Sequence, residues 1–236
     1  MPEPGFPENR SAAPRIVVFD TAGPHVAVGW ADGADTGGDV QDMARGQAET
    51  LMPTLEEMIA ARGWAWSDVD AIGVGVGPGN FTGIRIAVSA ARGLGVALGI
   101  PVFGISGFDS AAPSYPVPDN TIIALPAPRD HAYLRGFASG NALLDGNGML
   151  IDPAALPGDL TLAPGGTVIG HRAEEIARHL GRRTGPAKLK PDPATLAALT
   201  AQLYHAATTF PPRPVPDYIK PADAAPARDL PPVLLS

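Results

Sequence analysis

Residues 73–86 read Gly73-Val74-Gly75-Val76-Gly77-Pro78-Gly79-Asn80-Phe81-Thr82-Gly83-Ile84-Arg85-Ile86, and this stretch decides the fold. The apolar and glycine run at 69–76 has the length of a buried strand, the glycines and proline at 77–83 form a tight loop, and 84–98 has helical periodicity. Strand, tight loop, helix is the repeating unit of a parallel sheet covered by helices. Nearly every position of 84–98 is apolar or small except Arg85, Ser89 and Arg92, which share one sector of the helix about 60° wide. Ile84, Ala87, Ala91, Leu94 and Leu98 form a side suited to packing on the sheet. Ile86, Ala90, Gly93 and Ala97 form a second side of mostly small residues, which permits close approach of another helix. A surface helix with a single apolar stripe would not have both. The second side must be covered either by other elements of this chain or by a partner.

Upstream of this unit, 16–20 and 25–30 read as two strands around the turn Thr21-Ala22-Gly23-Pro24, and 47–62 reads as an amphipathic helix. Its apolar residues Leu51, Met52, Leu55, Met58 and Ile59 fall on one face about 120° wide. Pro53 has no N–H to donate, so it belongs near the helix start or bends the helix. Downstream, 101–105 reads as another buried strand and 107–112 as the start of a helix, before the break Pro113-Ser114-Tyr115-Pro116-Val117-Pro118. The second half follows the same plan in weaker form, with strands at 121–125 and 131–139, a weaker third at 141–144, and helices at 172–180 and 193–208. Eight of the 26 residues from Pro211 onward are proline, so no regular element persists there, though Tyr218-Ile219-Lys220 can dock as a short strand. The organisation read from this is α/β with a duplicated architecture: a loose leader (1–14), an N-terminal lobe carrying any partner surface (15–112), a C-terminal lobe (113–210) and a proline-rich tail (211–236).

Composition narrows the function. Among 236 residues there is no cysteine, which excludes a thiol nucleophile, disulfides and Cys-ligated metal. A formal net charge of -7 argues against holding nucleic acid directly, because phosphate backbones are bound mostly by Lys and Arg. No apolar run at the start has the length of a signal-peptide core. The most membrane-like stretch, 83–105, is interrupted by Arg85, Ser89, Arg92 and Pro101, so the expectation is a cytoplasmic protein that makes no use of a membrane.

Four features invite chemistry. The glycine loop suggests a phosphate cradle, but a P-loop needs Lys and Ser or Thr after its last glycine, and Ile84 and Arg85 stand there instead. The stronger reading of Gly77, Pro78, Gly79, Asn80, Phe81, Thr82 and Gly83 is a structural turn that lets the helix pack close to the sheet, with an anion or backbone contact as the alternative. Asp20 ends the first strand where a carboxylate can reach Mg²⁺ or phosphate, yet a turn cap is the better reading; Asp20 and Thr21 are at most a vestigial nucleotide site. Pro126 and Pro128, at the matching turn of the second half, remove N–H donors that a phosphate would use. None of the five histidines is paired at i, i+4, so no metal or other cofactor is expected, and His131 beside Asp130 reads as a surface hairpin residue.

Val18-Phe19-Asp20-Thr21, Gln47-Ala48-Glu49-Thr50-Leu51-Met52-Pro53, the loop from Gly75 to Ile86, and Gly99-Ile100-Pro101-Val102 together resemble the bacterial TsaB family, also known as YeaZ, the tRNA threonylcarbamoyladenosine biosynthesis proteins. The likeness covers residues 15–112. It implies a two-lobe actin-like and Hsp70-like fold of the ribonuclease H-like (ASKHA) class, with a reduced second lobe. It also implies a non-catalytic partner of the transferase TsaD, working with the ATPase TsaE and meeting tRNA only through the complex. The helices that the family packs against TsaD correspond here to 47–62 and 84–98. They nominate Leu51, Met52, Leu55, Met58, Ile59, Arg85, Ile86, Ser89, Ala90, Arg92, Gly93 and Ala97 as partner-binding residues. The catalytic paralogue holds a metal with two helix histidines, which the first helix here does not offer. Gln47 and Pro126-Ala127-Pro128 depart from the family pattern of His and Asp-Ala-Arg. Competing expectations are an ATP-binding actin-like phosphotransferase, an M22-type peptidase, and a homodimer using the same helices when TsaD is absent.

Overall fold

Ile16, Val17, Val18 and Phe19 are consecutive, apolar and all buried, which a strand achieves only when both faces of its sheet are covered. Val17 and Phe19 enter one core cluster, and Ile16 and Val18 enter another on the opposite face. The computed structural model describes residues 11–111, 120–137, 148–156, 165–189 and 191–219. Most of the leader, the break at 113–118, the strand expected at 141–144 and the tail beyond residue 219 lie outside the described residues.

In chain order the first lobe contains β1 (Arg15–Asp20), β2 (His25–Asp32), β3 (Asp35–Asp42), α1 (Gln47–Ala61), β4 (Ala71–Gly75), α2 (Phe81–Leu98), β5 (Val102–Ile105) and α3 (Gly107–Ala111). The sheet order is β3-β2-β1-β4-β5. β1 to β3 form an antiparallel meander, with Val17 opposite Trp30, and β4 and β5 join in parallel through the α2 crossover. The second lobe contains β6 (Thr121–Pro126), β7 (Ala132–Phe137), β8 (Met149–Ile151), β9 (Thr167–Gly170), α4 (Ala173–Leu180) and β10 (Arg183–Thr184), in the order β10-β9-β6-β7-β8. Counted from its own first strand, this is the same order as in the first lobe: an antiparallel meander, then two parallel strands on the other side. The duplication expected from the sequence is present, with strands of six, six, three, four and two residues making the second copy the smaller.

Three expectations are corrected. The last helix, α5 (Pro193–Ala206), counted with the C-terminal lobe, packs across the first sheet, where Leu196, Ala197 and Tyr204 cover Ile16, Val18, Ala31, Ala71, Phe103 and Ile105. β4 lies so close to this helix that a Cβ on Gly73 would collide with the Thr200 hydroxyl. Secondly, the structure adds β3, β8, β9 and β10, which the sequence pattern does not mark. Thirdly, Tyr218 and Ile219 join no strand; the tail docks through the Asp217 N–H, which donates to the Val76 carbonyl at 2.8 Å, and through side chains. Pro53 stands in the interior of α1 on its exposed side, where the ladder loses its bond to the exposed Glu49.

Candidate functional site

The glycine turn is locked to the end of β1. The Asn80 N–H donates to the Ala22 carbonyl at 2.6 Å, the Thr21 hydroxyl donates to the Gly83 carbonyl at 2.7 Å, and Asn80 Oδ1 accepts the Gly83 N–H at 2.9 Å. The last bond caps α2, so the helix begins at Phe81, three residues before the periodicity shows it. A Cβ on Gly83 would run into the Thr21 carbonyl, and one on Gly79 into the Ala22 carbonyl, so these two positions accept only glycine. Gly77 adopts φ 98°, and the Gly77–Pro78 peptide is cis. Thr21 is fully buried in this latch and is not available to a nucleotide. Asp20 caps its own turn, accepting the Ala22 N–H at 2.6 Å, and pairs with His25 Nε2 at 3.1 Å.

The turn borders a cleft of about 480 Å³ between the lobes, into which Asp20, His25, Gln47, Asn80 and Ser110 contribute polar groups. Pro126, Ala127 and Pro128 line its far wall. Among the described residues no Lys or Arg lines this cleft, and the N–H groups of Ala22, Asn80 and Gly83 are already engaged within the turn. Among the described residues no three His, Asp or Glu side chains come together to hold a metal ion.

The helix faces divide the nominated partner-binding residues. Leu51, Leu55 and Ile59 of α1 are sealed in the first core with Val17, Phe19 and Ile72, so they have no surface to offer and the expectation for them is corrected. Met52 and Met58 are half-buried at the edge of that core. α1 lies beside α2. In α2 only Gly83, Ile84, Ala87, Val88, Ala91 and Gly95 are buried, six of eighteen residues. Ile86 and Ala90 are half-buried, while Arg85, Ser89, Arg92, Gly93 and Ala97 are exposed. A Cβ on Gly93 would meet nothing within 4 Å. Leu94 and Leu98, expected in the core, are only half-buried. Among the described residues α2 is the one helix long and apolar enough to cross a membrane, and its six sheet-packed residues, with Arg85 and Arg92, fit a lobe helix that keeps an open side.

Two residues escape the sequence reading. Val96 is 71% exposed, the most exposed large apolar side chain described; it lies in the polar sector with Arg85, Ser89 and Arg92, outside both apolar sides read from the sequence. Tyr218, in the proline-rich tail, stacks on Phe81 with ring centroids 5.0 Å apart, and its hydroxyl accepts from Arg85 Nε at 2.9 Å. No periodicity signals such a contact between residues 133 apart.

Parts of the sequence, and the fold, recur in known proteins. Residues 39–134, from β3 through α1, the glycine turn and α2 into β7, match the family of the tRNA N6-adenosine threonylcarbamoyltransferase TsaD. An uncharacterised protein of Mycobacterium tuberculosis is 31% identical over 128 residues, 53% of this chain and 60% of that protein. The tRNA threonylcarbamoyladenosine biosynthesis protein TsaB of Escherichia coli is 31% identical over 93 residues, 39% of this chain and 40% of that protein. The matches thus span between two fifths and three fifths of these relatives' lengths. In fold, the chain superposes on a Pseudomonas aeruginosa protein described as similar to peptidase YEAZ, with a TM-score of 0.71, 24% identity and coverage of 88% of this chain and 100% of the other. The two-lobe architecture is therefore shared along nearly the whole chain, while the family match covers the turn and the two helices.

Proposed function

We propose that this chain, a relative of TsaB/YeaZ in the sequence of its first half and in the fold of nearly its whole length, is a non-catalytic scaffold subunit of the machinery that makes N6-threonylcarbamoyladenosine in tRNA. It binds the transferase TsaD through the open side of α2, with TsaE and tRNA joining only in the larger complex. One observation carries the reading: an eighteen-residue helix built almost wholly of apolar and small residues buries only six of them in its own chain. Apolar surface left in this pattern marks an interaction site, and Gly93, Ala97 and Ser89 are small enough for a partner helix to approach closely.

The test is calorimetric titration of the purified chain with TsaD, with size exclusion of the mixture. A complex with a Kd of about 10 μM or tighter, lost on Gly93→Arg, supports the proposal. Two components that elute separately at tens of micromolar overturn it.

A further inference from the structure

The segment after α5 crosses from one lobe to the other beside the open side of α2. Pro214 is buried against Gly104 of β5, and the Asp217 N–H is bonded to Val76, just beyond the end of β4. Tyr218 then lies on the first turn of α2, its ring stacked on Phe81 at an interplanar angle of 29°. The Arg85 guanidinium lies over the same Phe81 ring, 3.7 Å from its centroid, while Arg85 Nε donates to the Tyr218 hydroxyl. Ile219 packs against the cluster in which Phe108 of α3 meets Ile123, Tyr133 and Ile169 of the second lobe. Three consecutive residues thus hold the sheet end, the start of α2 and the second lobe.

Arg85 is the long cationic side chain nearest the start of α2, and Ser89, one turn further along, is its neighbour on the helix surface. Left untethered, a side chain with this much rotamer freedom would sweep over Ser89 and the small-residue stripe beyond it, and a docking partner would have to fix it in place. The stack and the hydroxyl hold it at the helix start instead.

We propose that Tyr218 is a positioning residue for the partner face: it clasps Arg85 onto Phe81, keeps that cation off the stripe and holds the first turns of α2 in the arrangement that docks. The proposal rests on the partner-binding reading of α2, but the clasp itself belongs to the free chain. Its test therefore has two readouts on the full chain, hydrogen exchange of residues 81–92 without partner and affinity for purified TsaD. Tyr218→Ala should speed exchange in those turns by about fivefold, leave α1 and α5 unchanged, and weaken TsaD binding by about tenfold. Tyr218→Phe, which keeps the stack, should weaken it by only about two- to threefold. In an Arg85→Ala background Tyr218→Ala should lose most of its effect on affinity, whereas a contact serving only stability would leave affinity unchanged in either background. Unchanged affinity in Tyr218→Ala overturns the proposal, and so does tighter binding, which would make the segment a cover over the face. If the wild type binds no TsaD, the partner reading fails by itself, and exchange decides the clasp: a rise confined to 81–92 supports it and an unchanged pattern overturns it. Should Tyr218→Ala unfold, the Tyr218→Phe and Arg85→Ala variants carry both readouts.

Discussion

α1 and α2 lie side by side on the same face of the same sheet, yet they place their apolar residues in opposite ways. α1 turns Leu51, Leu55 and Ile59 fully inward and shows Glu49, Glu56 and Glu57 to solvent. α2 seals Ile84, Ala87, Val88 and Ala91 and still shows Gly93, Val96 and Ala97 outside. The first is a complete amphipathic helix, whose pattern is accounted for by its own lobe. The second is apolar beyond what its sheet can cover, and the surplus is the feature that asks for another molecule. Apolar content alone does not distinguish the two; the identity of the residues opposite the core does.

Substitutions on the two helices can break this contrast or sharpen it. Leu55→Ala in α1 should cost about 2–5 kcal/mol of stability, read as a lower denaturant midpoint at unchanged slope, because the side chain is fully buried. A loss of TsaD binding without a loss of stability would show instead that α1 contributes directly to the face. Gly93→Arg in α2 should do the reverse. Binding falls by about a hundredfold or more, while stability holds or rises by up to about 1 kcal/mol, since glycine is a poor helix former and its neighbourhood is empty. Thermal unfolding at a lower temperature would mean the stripe is core. Thr21→Val sharpens the geometry beneath both helices: it removes the buried hydroxyl that donates to the Gly83 carbonyl and should cost about 0.5–1.5 kcal/mol with the α2 surface chemistry intact. The smallest effect is expected at Val96→Ser. There stability should stay within about 0.5 kcal/mol, and only the affinity measurement should register the change.

What is legible in the sequence follows the same division. β1, β2, α1, the glycine turn, α2 and β5 announce themselves because apolar periodicity is driven by burial, which those segments have. β3 is Asp-Thr-Gly-Gly-Asp-Val-Gln-Asp, an edge strand with no buried residue and poor in β-forming residues, held by its pairing with β2 rather than by its own composition. β8 and β9 are three and four residues long, too short to show a period. Periodicity finds the apolar face of α1 but is silent on whose core it fills, so the family resemblance could offer Leu51, Leu55 and Ile59 to a surface they do not reach. The structural reading of the turn and the capping reading of Asp20 follow from glycine and carboxylate chemistry that acts within a few residues. Tyr218 depends on the chain returning after the whole second lobe, and short-range patterns carry no trace of that.

The return of α5 to the first sheet has a consequence for how the chain is made. The covering of one whole side of that sheet arrives last, with Leu196, Ala197 and Tyr204, so a ribosome must release most of the polypeptide before Ile16, Val18 and Phe103 can leave water. Until then the earliest strands have one greasy side open, and a product cut short before α5 would be a target for proteolysis rather than a half-sized working lobe.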